Sequence, residues 1–350
     1  MIRSLQAFRA VAALLVILQH LNIALIKYFN GTVANEKLMP LGYAGVQFFF
    51  VLSGFIIYHA HRAEALDPSR LPRYLGKRAW RVLPLYWLVT LAVLPAFCLI
   101  PSFGEDYHRS FTALISSLLL IPQSHDPHLT VGWTLIHEGL FYLFFSLFFL
   151  TRHFRLLSLA WAVAIGIHFF VPGGSWLVNF LLSLHNLLFL AGIAIAANRA
   201  WITAHLSGRV LFSLGIVGAG IGLTTALSGS SEIYSTLSFG AAALLLVMAS
   251  AGGGIEPLFA RQRLLVFLGA ASYAIYLIHF PLMIALAKIL AALDNTIHLP
   301  LPLVIALLFG SALGAGVLLH LWVEKPLLAW SARLLRPKPI LGAPTSIARA

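Results

Sequence analysis

Cysteine is almost absent from this 350-residue chain: Cys98 stands alone, which excludes an intrachain disulfide, a cysteine-rich metal site and a redox pair. Charge is scarce as well. Only 10% of residues are charged against 60% hydrophobic, too little polar surface to wrap a soluble globule of this size. Acidic residues are the rarest class, 11 against 23 lysines and arginines. The net charge of +12 would suggest nucleic acid in a soluble protein, but here the basic residues fall between apolar runs. They are read for topology first, and no nucleic acid is expected as a partner. There is no nucleotide-binding loop, zinc-protease helix motif or nucleophile elbow. No internal repeat is evident, which counts against the duplicated architecture of many secondary transporters. The apolar runs lack the period-2 alternation of an outer-membrane barrel. No A-x-A-like cleavage site precedes Lys27, so the first run reads as a retained span.

What is present is a series of apolar segments long enough to cross a hydrocarbon core of ~30 Å. They predict an all-α integral membrane protein with about ten transmembrane helices, centred near Ala13, Val51, Val89, Leu140, Ala164, Leu187, Gly218, Ala243, Tyr276 and Leu313. An even number puts both termini on one side. If that side is the cytoplasm, 19 of the 23 lysines and arginines lie inside and only Lys27, Lys37, Arg109 and Lys288 outside. The positive-inside rule therefore predicts cytoplasmic termini. Residues 1–335 read as one transmembrane domain and 336–350 as a mobile cytoplasmic tail. The run Phe111–Ile121 is too short to span and ends at Pro122, which suggests a half-helix or interfacial segment. Glycines within 216–222 suggest close helix contact, and Cys98, in an apolar run, reads as a packing residue.

The first span carries Arg9 and His20, eleven residues apart. At roughly 100° per residue they return to within about 20° of one helix face, separated by a rise of roughly 16 Å. Ionisable groups at such depth cost about 2.5–3.5 kcal/mol on insertion scales and normally face protein or water. A structural hydrogen bond for His20 and snorkelling for Arg9 are the plainer alternative.

Span four opens with Trp133-Thr134-Leu135-Ile136-His137-Glu138, and Thr134, Glu138 and Tyr142 share a face. Glu138 needs a partner, and His20 lies at a similar depth; such a pair would hold the imidazole tautomer and stabilise imidazolium during proton transfer. The alternative is a carboxylate favoured by the helix N-terminus. In span nine Ser272, Tyr276 and His279 form a polar stripe that lines a cavity or glues helices together. Ser53-Gly54 in span two permits close approach. Arg73, Lys77 and Arg81 recur every four residues with Arg78 beside them, a basic stripe suited to an anionic ligand or to topology alone. His125-Asp126-Pro127-His128 is a weak metal cluster, and no metal is expected.

Taken together these residues resemble the membrane acyltransferase-3 family, whose members O-acylate carbohydrates and other acceptors. The resemblance rests on Arg9 and His20, the Phe-Phe-Val-Leu-Ser-Gly-Phe stretch ending at Phe55, and Lys77-Arg78 with Arg81, Pro84 and Tyr86. It rests further on Trp133-Thr134-Leu135 with Glu138 and Phe141-Tyr142, on Ser272-Tyr273 with Ile275, Tyr276, Leu277, His279 and Pro281, and on Glu324-Lys325-Pro326. It covers about residues 2 to 330, the acyltransferase-3 domain.

The resemblance implies an acyl-CoA donor, with acetyl-CoA the expected form, entering from the cytoplasm of a bacterial inner (plasma) membrane, and a carbohydrate acceptor on the other face. Stand-alone members are similar to exopolysaccharide acyltransferases, so exopolysaccharide is the expected acceptor and polysaccharide-assembly proteins are expected partners beside membrane lipid. By position Arg9 and His20 correspond to the family's essential pair, and Arg73, Lys77, Arg78 and Arg81 to its donor-side charges. The expected catalytic set is His20, Arg9 and Glu138, with Ser53, Tyr142, Ser272, Tyr276 and His279 lining the cavity. His20 would act as base on an acceptor hydroxyl or first take the acyl group itself. A proton-coupled transporter, or a lipid-binding or assembly protein without catalysis, remains the alternative from another class.

Overall fold

Long apolar runs punctuated by proline, glycine and basic residues fold as helices because a backbone in hydrocarbon must satisfy its own hydrogen bonds. The computed structural model describes residues 2–29, 40–99, 104–229 and 232–334, and among them there is no strand. The tail 336–350 lies outside the described residues. Sixteen helices follow in order: α1 (Arg3–Tyr28), α2 (Pro40–His61), α3 (Leu71–Leu99), α4 (Phe111–Leu118), α5 (Trp133–Phe145), α6 (Leu147–Leu150), α7 (Phe154–Phe170), α8 (Trp176–Leu181), α9 (Leu184–Ala197), α10 (Arg199–His205), α11 (Gly208–Leu227), α12 (Glu232–Ala251), α13 (Glu256–Phe259), α14 (Arg263–Ile297), α15 (Leu301–Leu319) and α16 (Lys325–Leu334).

Among the described residues nine helical segments are long and apolar enough to cross a membrane. Three of them join consecutive helices: α5 with α6, α8 with α9, and α15 with α16. The tenth expected span, near Ala164, is α7, whose 17 residues sit at the short end of the spanning range. The chain is a multi-pass membrane protein.

Three close helix pairs organise the bundle, and glycine makes each possible. A Cβ at Gly269 of α14 would stand 1.9 Å from the Gln6 carbonyl oxygen of α1, so these two backbones touch. On α2 and α9 the contact is reciprocal, with Gly54 against the Phe189 carbonyl at 2.0 Å and Gly192 against the Val51 carbonyl at 2.1 Å. The glycines of α11 also meet α12, Gly215 against Leu246 and Gly222 against Phe239. The expected close contacts at Ser53-Gly54 and within 216–222 are therefore present. The start of α1 is fixed by Glu256 of α13, whose carboxylate accepts from the Arg3 and Ser4 amides at 2.9 and 3.1 Å, satisfying donors that a helix N-terminus leaves open.

The half-helix is α4, capped by Ser110 and ending before Pro122. Ala113 and Ser117 are buried while Phe111, Ile115 and Leu119 are exposed, the pattern of a helix lying at an interface. Tyr86 and Trp87 of α3 hold it by donating to the Ser117 and Leu118 carbonyls. Cys98 departs from its expected role: it lies on the exposed side of α3, and Phe97 beside it is the packed residue.

Candidate active site

Five helices, α1, α2, α3, α5 and α14, enclose a partly open cavity of about 190 Å³. Its polar lining comprises Arg9, Ser53, Arg78, Arg81, Thr134, Glu138, Tyr142, Ser272, Tyr273 and Tyr276. Ser53, Tyr142, Ser272 and Tyr276 line this cavity. His279 does not. It is fully buried one turn beyond Tyr276, because α14 carries its polar stripe along the helix axis and past the end of the cavity.

Arg9 reaches across the close α1–α14 contact, its Nη2 donating to Ser272 Oγ at 2.9 Å. The Nε atoms of Arg9 and Arg78 are buried and lack a hydrogen-bond partner among the described residues. Glu138 is the one carboxylate in the lining; its Oε1 accepts from Tyr142 at 2.5 Å and from Ser53 at 3.2 Å. Three guanidinium groups against Glu138 in the lining and Glu324 behind Arg81 leave the cavity net positive, a setting for an anion.

The basic stripe divides. Arg78 and Arg81 face the cavity, whereas Lys77 is exposed and Arg73 half-buried outside it. Arg78 sits 5.9 Å from the ring centres of both Tyr74 and Tyr142, and Arg81 lies 5.5 Å from that of Tyr273. Arg81 also donates to Glu324 at 2.6 Å, and Glu324, itself buried, accepts from His320 Nδ1 at 2.7 Å. Residues His320–Glu324 form a π-helical turn. Pro326 just beyond supplies no amide proton to the Trp322 carbonyl, a local reason for the altered winding. Glu324 was not on the expected site; the Glu324-Lys325-Pro326 motif was its only sequence signal.

His20 does not contact Glu138. Its ring lies beyond the cavity, where His20 Nδ1 is 2.9 Å from the Val16 carbonyl oxygen and 3.2 Å from His279 Nε2. His279 Nδ1 in turn is 2.7 Å from the Tyr276 carbonyl oxygen. A carbonyl only accepts, so in the neutral rings each Nδ1 carries the proton. His279 Nε2 is then an acceptor for His20 Nδ1–H, and His20 Nε2 keeps its lone pair for chemistry. Tyr276 separates this histidine pair from the arginine end. Its hydroxyl donates to the Val131 carbonyl at 2.8 Å and lies 2.8 Å from Thr134 Oγ1, bracing α14 against the start of α5.

The sequence cluster around Asp126 holds no metal set. His128 is buried and spent on Ser117 and the His108 carbonyl, and among the described residues no three His, Cys, Asp or Glu side chains stand together for a metal ion.

The chain is 29% identical to the exopolysaccharide production protein ExoZ of Rhizobium meliloti (strain 1021), over 86% of this chain and 94% of that protein. It is 30% identical to the acyltransferase MdmB of Streptomyces mycarofaciens, over 97% of this chain and 94% of that one. No solved structure matches it. The family model described as an acyltransferase domain matches residues 2–321, nearly the whole chain, which therefore belongs to the acyltransferase-3 family of membrane proteins.

Proposed function

We propose that this protein moves an acyl group, acetyl being the simplest, from acyl-CoA to a hydroxyl of a cell-surface carbohydrate such as exopolysaccharide. The donor approaches from the end of the bundle that carries Arg62, Arg73 and Lys77, and the acceptor from the opposite end. A bacterial plasma membrane, with CoA thioesters on one face, is the setting this reading fits.

The observation that carries the proposal is the order of groups along α1 and α14. Arg9, with Arg78 and Arg81, gathers positive charge at the cavity, and His20, paired to His279, stands roughly 16 Å further along the same helix. CoA has matching polarity, with several negative charges at one end and its thioester at the end of a long flexible arm. The cavity, about 190 Å³ and partly open, suits that arm rather than the nucleotide, and the arm would carry the thioester past Tyr276 to His20. Arg78 and Arg81 support phosphate contacts at its mouth.

At His20 the balanced step is acyl transfer. The acceptor oxygen attacks the thioester carbonyl carbon while its proton passes to His20 Nε2. The C–S bond breaks, and the sulfur leaves with that proton as CoA thiol. In the two-step version Nε2 attacks first, releasing the thiolate and forming an acyl-imidazolium that the acceptor hydroxyl then cleaves; the hydroxyl proton passes to Nε2 and from there to the thiolate, which leaves as CoA thiol. In both, the Val16 carbonyl and His279 Nε2 hold the Nδ1 proton and stabilise the imidazolium that develops. The homologues named for exopolysaccharide production and acyl transfer support the reaction class.

The test is purified protein with labelled acyl-CoA. His20→Ala should lose roughly 10²–10⁴-fold in transfer if His20 is a base, and more if it is an obligatory acyl carrier. Without acceptor, stable label on wild type but not on His20→Ala identifies the carrier, and no label the base. Near-wild-type turnover by His20→Ala at normal membrane abundance would overturn the mechanism.

A further inference from the structure

A second cleft, of about 420 Å³, opens at the other end of the bundle, where the connection carrying α4 meets the start of α5 and the end of α8. We propose that it binds one neutral sugar residue of the acceptor; this rests on the carbohydrate-acyltransferase reading above and assigns that substrate a site.

Its size falls within the range of small-molecule pockets. The lining combines aromatic surface with planar polar groups: Tyr107, His125 and Trp133 beside Glu105, Gln123 and Asp126. That pairing suits a pyranose, whose C–H face lies on a ring and whose neighbouring hydroxyls donate to carboxylate or amide oxygens. Other ligand classes fit less well. Two carboxylates repel phosphate or sulfate, a metal would need a third ligand that is not in place among the described residues, and an apolar chain would desolvate the acids.

The wall is rigid. Phe97, His108, Tyr107 and His125 stack as a column of four rings with successive centres 4.2, 4.1 and 4.2 Å apart. His128 ties the column's base to α4 through Ser117. At the far wall His137 Nδ1–H donates to Asn186 Oδ1 at 2.9 Å; Asn186 Nδ2 is committed to the Phe180 and Leu181 carbonyls, which fixes the amide orientation. His137, which lines the cleft, is thereby left with Nε2 as an acceptor.

Placement agrees with the chemistry. Trp133, Ile136 and His137 face this cleft, whereas Thr134, Leu135 and Glu138 face the arginine-lined cavity. The first turns of α5 are thus a shared wall, with acceptor and donor on its two sides. Partial desolvation, then the Glu105 carboxylate, hold the Asp126 carboxyl above the usual aspartate range, with His125 pulling it back. Tyr107 is pushed up to about 12 by desolvation and by Asp126 and Glu105, and stays a neutral donor. With Glu105, His125, Tyr107 and His137 around it, ionised Asp126 is the acceptor for sugar hydroxyls. The acceptor KM should therefore rise as pH falls through the raised Asp126 pKa, and Asp126→Asn should flatten that dependence.

Saturation-transfer NMR tests the site, using protein in lipid nanodiscs and a mixture of methyl β-glucoside, methyl β-galactoside and methyl α-mannoside. Wild type should transfer saturation to the ring protons of at least one glycoside, and Asp126→Asn with His125→Ala should lose most of it. In the acylation assay the double variant should raise the acceptor KM by about tenfold, the scale of one hydrogen bond to a charged group. Its donor KM and acceptor-independent turnover of labelled acyl-CoA should stay within about twofold, which also reports correct folding. Equal saturation transfer and an unchanged acceptor KM in the double variant would overturn the site, as would no saturation transfer to any of the three in wild type. Failure of wild type to acylate any carbohydrate would instead overturn the functional reading, while Asp126-dependent saturation transfer would still establish a sugar site.

Discussion

His20 Nδ1 and His279 Nε2 stand 3.2 Å apart with their rings nearly perpendicular, an interplanar angle of 73°. Because each Nδ1 also faces a helix carbonyl, the protons are distributed one way along the pair, and His20 Nε2 is the free basic atom. In the proposed mechanism His279 would position His20, whereas Glu138 is bonded to Tyr142 and Ser53 instead.

The first prediction follows from that pair. His279→Leu should lower kcat by about 10- to 100-fold, the value of a hydrogen bond to a charged group, with little change in the donor KM. His279→Gln keeps an acceptor oxygen and should recover part of the loss. Equal loss in both variants, or loss confined to expression, would reduce His279 to a packing role. Glu138→Gln should instead act through the cavity and move the donor KM.

Donor binding gives the second prediction, tested by titration of acyl-CoA. Arg78→Gln with Arg81→Gln should raise the donor KM by about tenfold or more, because charge-assisted contacts to phosphate are lost. Lys77→Gln, exposed and outside the cavity, should have a small effect. Removing Arg81 alone also leaves the buried Glu324 carboxylate with only His320 of its two partners, so Arg81→Gln should be the less stable single variant.

Much of this was legible from residues and much was not, for reasons of geometry. Helical period alone places Arg9 and His20 on one face, and each meets α14 in the structure. Depth alone suggested Glu138 as the partner of His20. Depth does not fix rotation about a helix axis, however, and Glu138 points to the cavity side of α5. The stripe Ser272, Tyr276 and His279 was likewise legible as a face, but where the cavity ends along that face depends on Tyr276 meeting Thr134, a contact between residues 142 positions apart. Arg81 with Glu324, 243 positions apart, leaves no periodic trace at all. Cys98 went the other way: an apolar run predicts burial only when solvent, not lipid, lies outside.

Orientation is tested by cysteine labelling in a Cys98→Ala background. The placement of basic residues predicts that Ser69→Cys, at the arginine-rich end, is shielded from an impermeant thiol reagent in intact cells. Ser124→Cys, exposed at the opposite end, should be labelled. The reverse pattern would invert the bundle and with it the assignment of donor and acceptor sides.

The last prediction concerns the α1–α14 contact on which both histidine and arginine pairs depend. Gly269 lets these helices touch, and an added Cβ would fall on the Gln6 carbonyl, a backbone atom that cannot turn aside. Gly269→Val should force the helices apart at a cost of about 1–3 kcal/mol, read as a lower Tm of the solubilised protein. Activity should fall further than stability explains, since Arg9–Ser272 and His20–His279 both bridge the same two helices and both would lengthen. Gly310→Ala on α15 is the control: an added methyl there meets nothing within 4 Å, so stability and turnover should hold. Wild-type turnover in a stable Gly269→Val protein would mean that catalysis does not need this register of α1 on α14, and the paired roles given to His20 and His279 would fall with it.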